Sequence, residues 1–265
     1  MAKIGFIGMG NMGQAMLQGL LKQWKPEDIL FSSGHEDKME KVTKETGVPH
    51  VTANADCASR VKYLILAVKP QMLPRVFDEI RGVVTKEQVV ISIAAGYAVA
   101  DLKAGLGGDV RIVRSMPNTP AMVGEGMTGV VYDNALFNEE ERAVIDGIFT
   151  SFGRMERVEE RLLDVVGSAS GCSPAYVYMF IEALADGCVK HGMPRQMAYR
   201  MASQAVLGSA KMVLETGKHP GELKDMVCSP GGTTIEGLAA LEECGFRSAV
   251  IKACDANYEK NQKLK

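Results

Sequence analysis

The sequence predicts an α/β protein: a mostly parallel, doubly wound sheet domain followed by an all-α domain. Three observations carry this. From residue 3 to about 157, short apolar runs alternate with segments of helical periodicity. A glycine-rich turn follows the first run. From about residue 158 the strand signals stop and only helical patterns continue.

The strand runs are "KIGFI" (3–7), "DILFS" (28–32), "VPHVT" (48–52), "KYLILAV" (62–68), "QVVISIA" (88–94) and "VRIVRS" (110–115), with "TGVVY" (128–132) as a further strand. Continuous apolar strands separated by helices indicate a parallel sheet covered on both faces. Between them, "NMGQAMLQGLLKQW" carries apolar residues at helical spacing, and "DKMEKVTKETG" ends at a glycine stop. In the second half "EERLLDVVGSAS" reads as a helix. Ser173 and Pro174 then read as an N-cap and a proline at N1, opening a helix that stops at Gly192. "PRQMAYRMASQAVLGSAKMVLETG" is a long helix, and "FRSAVIKACDANYEKNQKL" is the last, with a polar tail. Several helices without strands suggest a bundle. The boundary is placed near residue 160, giving domains 1–160 and 161–265.

The bulk composition excludes several classes. Of 265 residues, 46% are apolar and 23% charged, ordinary for a soluble globular protein. The net charge of -2 offers no basic surplus for nucleic acid or an anionic membrane. Six cysteines (57, 172, 188, 228, 244 and 254) form no CxxC pair, which fits reduced thiols and a cytoplasmic location. The four histidines show no zinc spacing, so no metal is expected. The chain passes from Lys3 straight into "IGFIG", which leaves no room for a signal-peptide core. The apolar stretch "PAYVYMFIEALADGCV" contains Glu182 and Asp186, so a buried helix is expected rather than a membrane span. Glu182, Asp186 and Lys190 recur at four-residue spacing and read as a polar stripe with internal ion pairs, not an acid/base set.

"KIGFIGMGNMG" places Gly8, Gly10 and Gly13 in a GxGxxG pattern after a strand and at the opening of a helix. Gly8 allows the tight turn, Gly10 lets the backbone approach a pyrophosphate, and Gly13 lets the helix pack on the strand. A dinucleotide is the expected ligand, its phosphates at the helix N-terminus. The second strand ends Phe31-Ser32-Ser33-Gly34-His35, without the carboxylate that usually holds a ribose 2′-hydroxyl, and without an arginine. Hydroxyls and an imidazole tolerate a 2′-phosphate, so NADP(H) is preferred and NAD(H) possible. Three further strand ends form a cofactor wall: Lys69-Pro70, Ala94-Ala95-Gly96, and the "RSMPNTP" loop around Asn118.

"SPGGTTIEG" (229–237) delivers the chain to another helix. Thr233 at N-cap and Glu236 at N3 fit a capping box. Gly231 and Gly232 leave backbone N–H donors uncovered, which suits a small carboxylate, and threonine hydroxyls can bond a ring nitrogen.

Over essentially its full length the chain resembles the pyrroline-5-carboxylate reductase family. The resemblance rests on "IGFIGMGNMG", "LAVKPQ", "ISIAAG", "MPNTP", "EALADGCVKHGMPR", "HPGELKDMVCSPGGTTIEGL" and "LEECGFRSAV". It implies NAD(P)H-dependent reduction of 1-pyrroline-5-carboxylate to L-proline. It also implies a Rossmann domain followed by a helical domain that dimerises by interleaving helices, with rings of dimers in many members. By the resemblance, Ser229 to Thr234 bind the substrate carboxylate through backbone N–H groups. Thr234, the catalytic candidate, sits by the ring nitrogen, and Glu160 lies near the substrate. Met9, Asn11, Met12, Ser33, His35, Asn54, Val68, Lys69 and Ala95 match cofactor-contacting positions. Family members often read "SGSGPAY" where this chain has Cys172 and Ser173 as departures; Cys172 is expected to be a small buried filler. A related Rossmann reductase stays open, acting on a 3-hydroxy acid, which would use a lysine such as Lys190, Lys211 or Lys224 as acid/base, or on another imine. A dinucleotide-binding protein without turnover is the other alternative.

Overall fold

The computed structural model describes residues 3–263. Residues 173–256 form one compact unit, and the rest of the described chain forms the other. The first unit runs β1 (Ile4–Ile7), α1 (Asn11–Leu20), β2 (Ile29–Ser32), α2 (Glu36–Thr46), α3 (Asn54–Ser59), β3 (Tyr63–Leu66), α4 (Leu73–Ile80), β4 (Val89–Ser92), α5 (Val99–Leu106), β5 (Arg111–Met116), β6 (Gly126–Val131), α6 (Glu139–Thr150), β7 (Gly153–Arg157) and α7 (Leu163–Val166). Then come α8 (Ser173–Lys190), α9 (Arg195–Thr216), α10 (Pro220–Met226), α11 (Thr233–Glu243) and α12 (Phe246–Gln262).

The seven strands lie in the order β2-β1-β3-β4-β5-β6-β7. All neighbours are parallel except β5 and β6. Successive side chains on a strand point to opposite faces, and the core shows it. Ile4, Phe6 and Ile65 pack with α1 and α6 on one face. Ile7, Leu64 and Leu66 pack with α4 and α5 on the other. Both faces are apolar, which is why the strands read as unbroken apolar runs.

Two strand expectations change. Residues 48–52 form only a single bridge, Phe31 to His50. Pro49 has no N–H to donate, and the backbone bonds there are Phe31 N–H to the Pro49 carbonyl and Val51 N–H to the Phe31 carbonyl. Conversely β7, "GRMER", is a full strand paired in parallel with β6. It is mostly polar, and Met155 is its apolar contact with the core. The helix stops behave as expected: Gly47, Gly192 and Gly217 all adopt positive φ. "EERLLDVVGSAS" is helical but changes pitch: a 3₁₀ turn over Glu160–Leu162, then α7, then a π turn over Gly167–Gly171.

The helical unit is built differently. Where α8 packs along α9, the fully covered side chains are Ala185, Ala198 and Ala202. The helix expected to be buried is not: Tyr178 and Met179 on α8 are 59% and 67% exposed. Nor do ion pairs run along it. Asp186 pairs with Arg195 at the start of α9, which closes the α8–α9 turn around Gly192. No helix among the described residues is long and apolar enough to cross a membrane.

Candidate functional site

The first strand–helix turn is shaped by its glycines. Gly8 has φ +99°, and a Cβ there would lie 2.7 Å from the Ala67 carbonyl oxygen. A Cβ on Gly13 would meet the Gly8 carbonyl oxygen at 2.8 Å, so only glycine lets α1 sit this close to β1. A Cβ on Gly10 would meet nothing within 4 Å. Gly10 is the N-cap of α1, no side chain caps the helix, and its first turn holds no acid. Asn11 and Met12 open that same turn. The result is an open, uncrowded set of N–H groups at a positive helix end, which fits a pyrophosphate. Met9 can offer only its backbone, because its side chain is buried in the core.

A cavity of about 520 Å³ lies at the carboxyl ends of β1, β2 and β3. It brings together the expected Gly8, Ser33, Asn54 and Val68. His35, Lys69, Pro70, Ala94, Ala95 and Asn118 are not among its lining residues. His35 is the exposed N-cap of α2, Lys69 is exposed and Ala94 is buried. Asn118 is buried and stapled in place: its Nδ2 donates to the Ser170 carbonyl at 3.0 Å, and its Oδ1 accepts from the Met127 N–H at 2.9 Å. Its side chain thus holds its own loop.

Among the lining residues that were not expected, three are polar: Thr52, Arg75 and Glu79. Arg75 Nε donates to Glu79 Oε1 at 2.8 Å, and Asn54 Nδ2 donates to Glu79 Oε2 at 2.5 Å. The buried Ser32 hydroxyl in turn donates to Asn54 Oδ1 at 2.7 Å. The Arg75 bond holds the Glu79 carboxyl below the usual carboxylate range, against its partial burial, with help from Asn54.

The substrate candidates lie in two places. Glu160 Oε1 accepts from the Val99 N–H at 2.7 Å and from Arg114 Nη1 at 3.3 Å. Arg114 is 3% exposed, and its Nη2 also donates to Asp164 Oδ1 at 3.2 Å. One glutamate oxygen is therefore pinned between a helix N-terminus and a buried guanidinium. Sequence reasoning missed Arg114, although an arginine inside the apolar run "VRIVRS" demands an acidic partner once that run is a central strand.

In the helical unit, Ser229–Gly232 form a turn closed by the Gly232 N–H on the Ser229 carbonyl. Gly231 has φ +66°, and a Cβ on Gly232 would strike the Ser229 hydroxyl at 2.4 Å. The positive φ calls for glycine at 231, and a Cβ at 232 would force the Ser229 hydroxyl to move. The expected capping box is absent: Gly232 is the N-cap of α11 and no side chain caps it. Thr233 and Thr234 are thus the first two helical residues, one position deeper than the sequence pattern suggested. The shift removes the glutamate cap and leaves the amide end of α11 without a side-chain acceptor. Lys211 is exposed and pairs with Glu215, and the half-buried Lys224 pairs with Asp225. Cys172 is half-buried, and Asn257 Nδ2 donates to its sulfur at 2.7 Å.

Comparison with known proteins agrees over the whole chain. Residues 160–264 match the family model described as pyrroline-5-carboxylate reductase dimerisation, and residues 3–96 match one described as NADP oxidoreductase, coenzyme F420-dependent. A pyrroline-5-carboxylate reductase of Escherichia coli is 49% identical over 264 residues, covering 99% of this chain and 98% of the relative. One from Methanosarcina acetivorans is 43% identical, over 99% of this chain and 97% of the relative. The solved Plasmodium falciparum pyrroline carboxylate reductase, with NADP bound, is 32% identical and covers 99% of this chain and 98% of its own, with a TM-score of 0.89. On these matches, and with the fold they share, the chain belongs to the pyrroline-5-carboxylate reductase family.

Proposed function

We propose that the chain reduces 1-pyrroline-5-carboxylate to L-proline with NADP(H) as the preferred cofactor and NAD(H) as a possible one. The observation that carries this reading is the uncapped amide end of α11 behind a turn whose Gly231 takes a positive φ. A small carboxylate satisfies those N–H groups at the favourable end of a helix. The substrate is a cyclic imine with one carboxylate. Anchoring that carboxylate on the amides of Gly231, Thr233 and Thr234, beside Ser229 and Gly232, whose own N–H closes the turn, leaves the ring nitrogen to be hydrogen-bonded. Thr234 is the residue assigned to that nitrogen, hydrogen-bonding to it as it becomes an amine, while the protonated, iminium form of the substrate brings the proton that balances the hydride. Glu160, with one oxygen held by the Val99 N–H and Arg114, is the further substrate candidate.

The cofactor fits the residues of the sheet unit. Gly8, Gly10 and Gly13 form the cradle, with Met9, Asn11 and Met12 around it, and Ser33, Asn54 and Val68 stand on the cavity wall. His35, Lys69, Pro70, Ala94, Ala95 and Asn118 are the outer candidates. When bound, the reduced nicotinamide supplies the hydride. The chain supplies the anchor, the hydrogen bond to nitrogen and the exclusion of water. The preference for NADP(H) is supported by the missing carboxylate at the tip of β2 and by the cation Arg75 in the cavity wall. We further propose a cytoplasmic homodimer, assembled into a ring of dimers.

The test is direct: NADPH oxidation is followed with pyrroline-5-carboxylate and, separately, NADP reduction is followed with 3-hydroxyisobutyrate. Turnover on the imine alone is expected. Turnover on the hydroxy acid, or cofactor binding with no turnover, overturns the reading. Thr234→Ala is expected to lower kcat by about a hundredfold, the range seen when a positioned proton donor is lost, with NADPH affinity unchanged. Equal losses in both would remove Thr234 from that role.

A further inference from the structure

In a dinucleotide site of this kind, the group that reads the adenosine ribose usually stands at the tip of the second strand. Here that tip offers Ser33 and Gly34, neither charged. The charge comes from a different element. Arg75 and Glu79 sit one turn apart on α4 and line the same cavity as Ser33.

The two are held unequally. Glu79 is fixed from both sides: Oε2 by Asn54, itself tied to the buried Ser32 hydroxyl, and Oε1 by Arg75. Its side chain is 33% exposed, whereas that of Arg75 is 76% exposed. Arg75 uses Nε alone in this pair, so its Nη edge stays available for a second acceptor. An exposed pair one turn apart contributes little binding energy of its own, so the arginine is readily released. A ribose 2′-phosphate carries close to two negative charges and three acceptor oxygens, and a guanidinium fork matches it. A ribose 2′-hydroxyl instead needs an acceptor, and a fixed carboxylate provides one.

We infer that Arg75 and Glu79 together set the cofactor preference of this chain. Arg75 pairs with the 2′-phosphate of NADP(H), and Glu79, held by Asn54, accepts from the 2′-hydroxyl of NAD(H). This rests on the reading that the cavity takes the adenosine end of a nicotinamide dinucleotide. It adds that selection is made from α4 by two opposed charges.

The test is cofactor binding without substrate, read by nicotinamide fluorescence for NADPH and NADH, on the wild type, Arg75→Gln and Glu79→Gln. Arg75→Gln is expected to weaken NADPH by about tenfold or more, as loss of a charge-assisted pair does, while NADH changes by less than about twofold. Glu79→Gln is expected to weaken NADH and to leave NADPH unchanged or tighter. Raising the salt concentration should shrink the NADPH difference between wild type and Arg75→Gln, because the contact is exposed. Equal effects on both cofactors, or no effect on either, overturn the inference while leaving the reductase reading intact if wild-type binding and imine reduction persist. A wild type that binds neither cofactor overturns both. Unchanged thermal melting of the variants shows that the differences are local.

Discussion

The sheet unit and the helical unit solve the burial problem in opposite ways. In the first, Phe6, Phe31, Phe149 and Phe152 are fully covered, and apolar residues from every central strand pack against helices on both faces. In the second, the covered side chains are three alanines, and Met179, Met201, Leu214 and Ile251 are each more than half exposed. The sheet unit contains its own core. The helical unit carries apolar surface that a single chain leaves in water, beyond what isolated exposed residues explain. The family model matched there is a dimerisation model, and a second chain accounts for the surface.

The largest test breaks this contrast. Met179→Glu combined with Ile251→Glu is expected to convert a dimer to monomer in sedimentation and to abolish imine reduction. The helical transition should also depend on protein concentration in the wild type, because association stabilises only what it covers. A tenfold dilution corresponds to about 1.4 kcal/mol of assembly free energy. The sheet transition should not move. A wild type that is monomeric at micromolar concentration, with a single concentration-independent melt, would sink the comparison.

The next test compares glycines of the two units. Gly10→Ala meets no neighbour in the chain, whereas Gly232→Ala drives a methyl against Ser229. Gly232→Ala displaces the Ser229 hydroxyl and is expected to raise KM for pyrroline-5-carboxylate by about tenfold, equivalent to about 1.4 kcal/mol, with NADPH affinity intact. Gly10→Ala is expected to do the reverse: weaker NADPH, an unchanged melting temperature and little effect on the imine. Identical kinetic profiles for the two variants would mean that the turns do not hold separate reactants.

The same contrast explains what could be read from residues alone. The apolar strands, the glycine turn and the glycine helix stops were legible because local chemistry dictates them: Gly8 and Gly231 adopt positive φ, which other residues rarely do. The strand β7 was not legible, because at the polar end of a sheet pairing with β6 is tertiary and leaves little mark on "GRMER". The absent capping box had a similar cause. Threonine followed by glutamate three residues later is a good local pattern, but the Ser229–Gly232 turn starts the helix at Gly232. Arg75 and Glu79 were hidden for a different reason. Leu73, Val76, Phe77 and Ile80 show which side of α4 faces the core, but nothing in that pattern says which cavity the other side meets. The exposure of α8 was misread because an apolar helix looks the same whether its own chain or a second chain covers it.

The smallest effect belongs to the sheet unit's other end, where Glu141 accepts from Arg111 Nη1 at 2.8 Å and pairs with Lys62 at 2.9 Å. The Arg111 bond, then those from Lys62 and the Asn138 N–H, lower its carboxyl pKa to about 2 against the cost of burial. The unfolded chain binds that proton near the ordinary glutamate value, about 4.3. Where the unfolded state holds more protons, stability rises with pH. The contribution of Glu141 is therefore complete above about pH 5 and declines as pH falls through 4 towards 2. Glu141→Gln should lower the stability of the sheet unit by about 1.5–3 kcal/mol at pH 7, the range for hydrogen bonds to charged groups. Denaturant unfolding from pH 7 to pH 3 should show the wild-type and variant curves converging. The helical transition should shift by the same small amount in both proteins, since Glu141 lies in the other unit. Curves that stay parallel down to pH 3 would show that the carboxylate contributes through shape rather than through its charge.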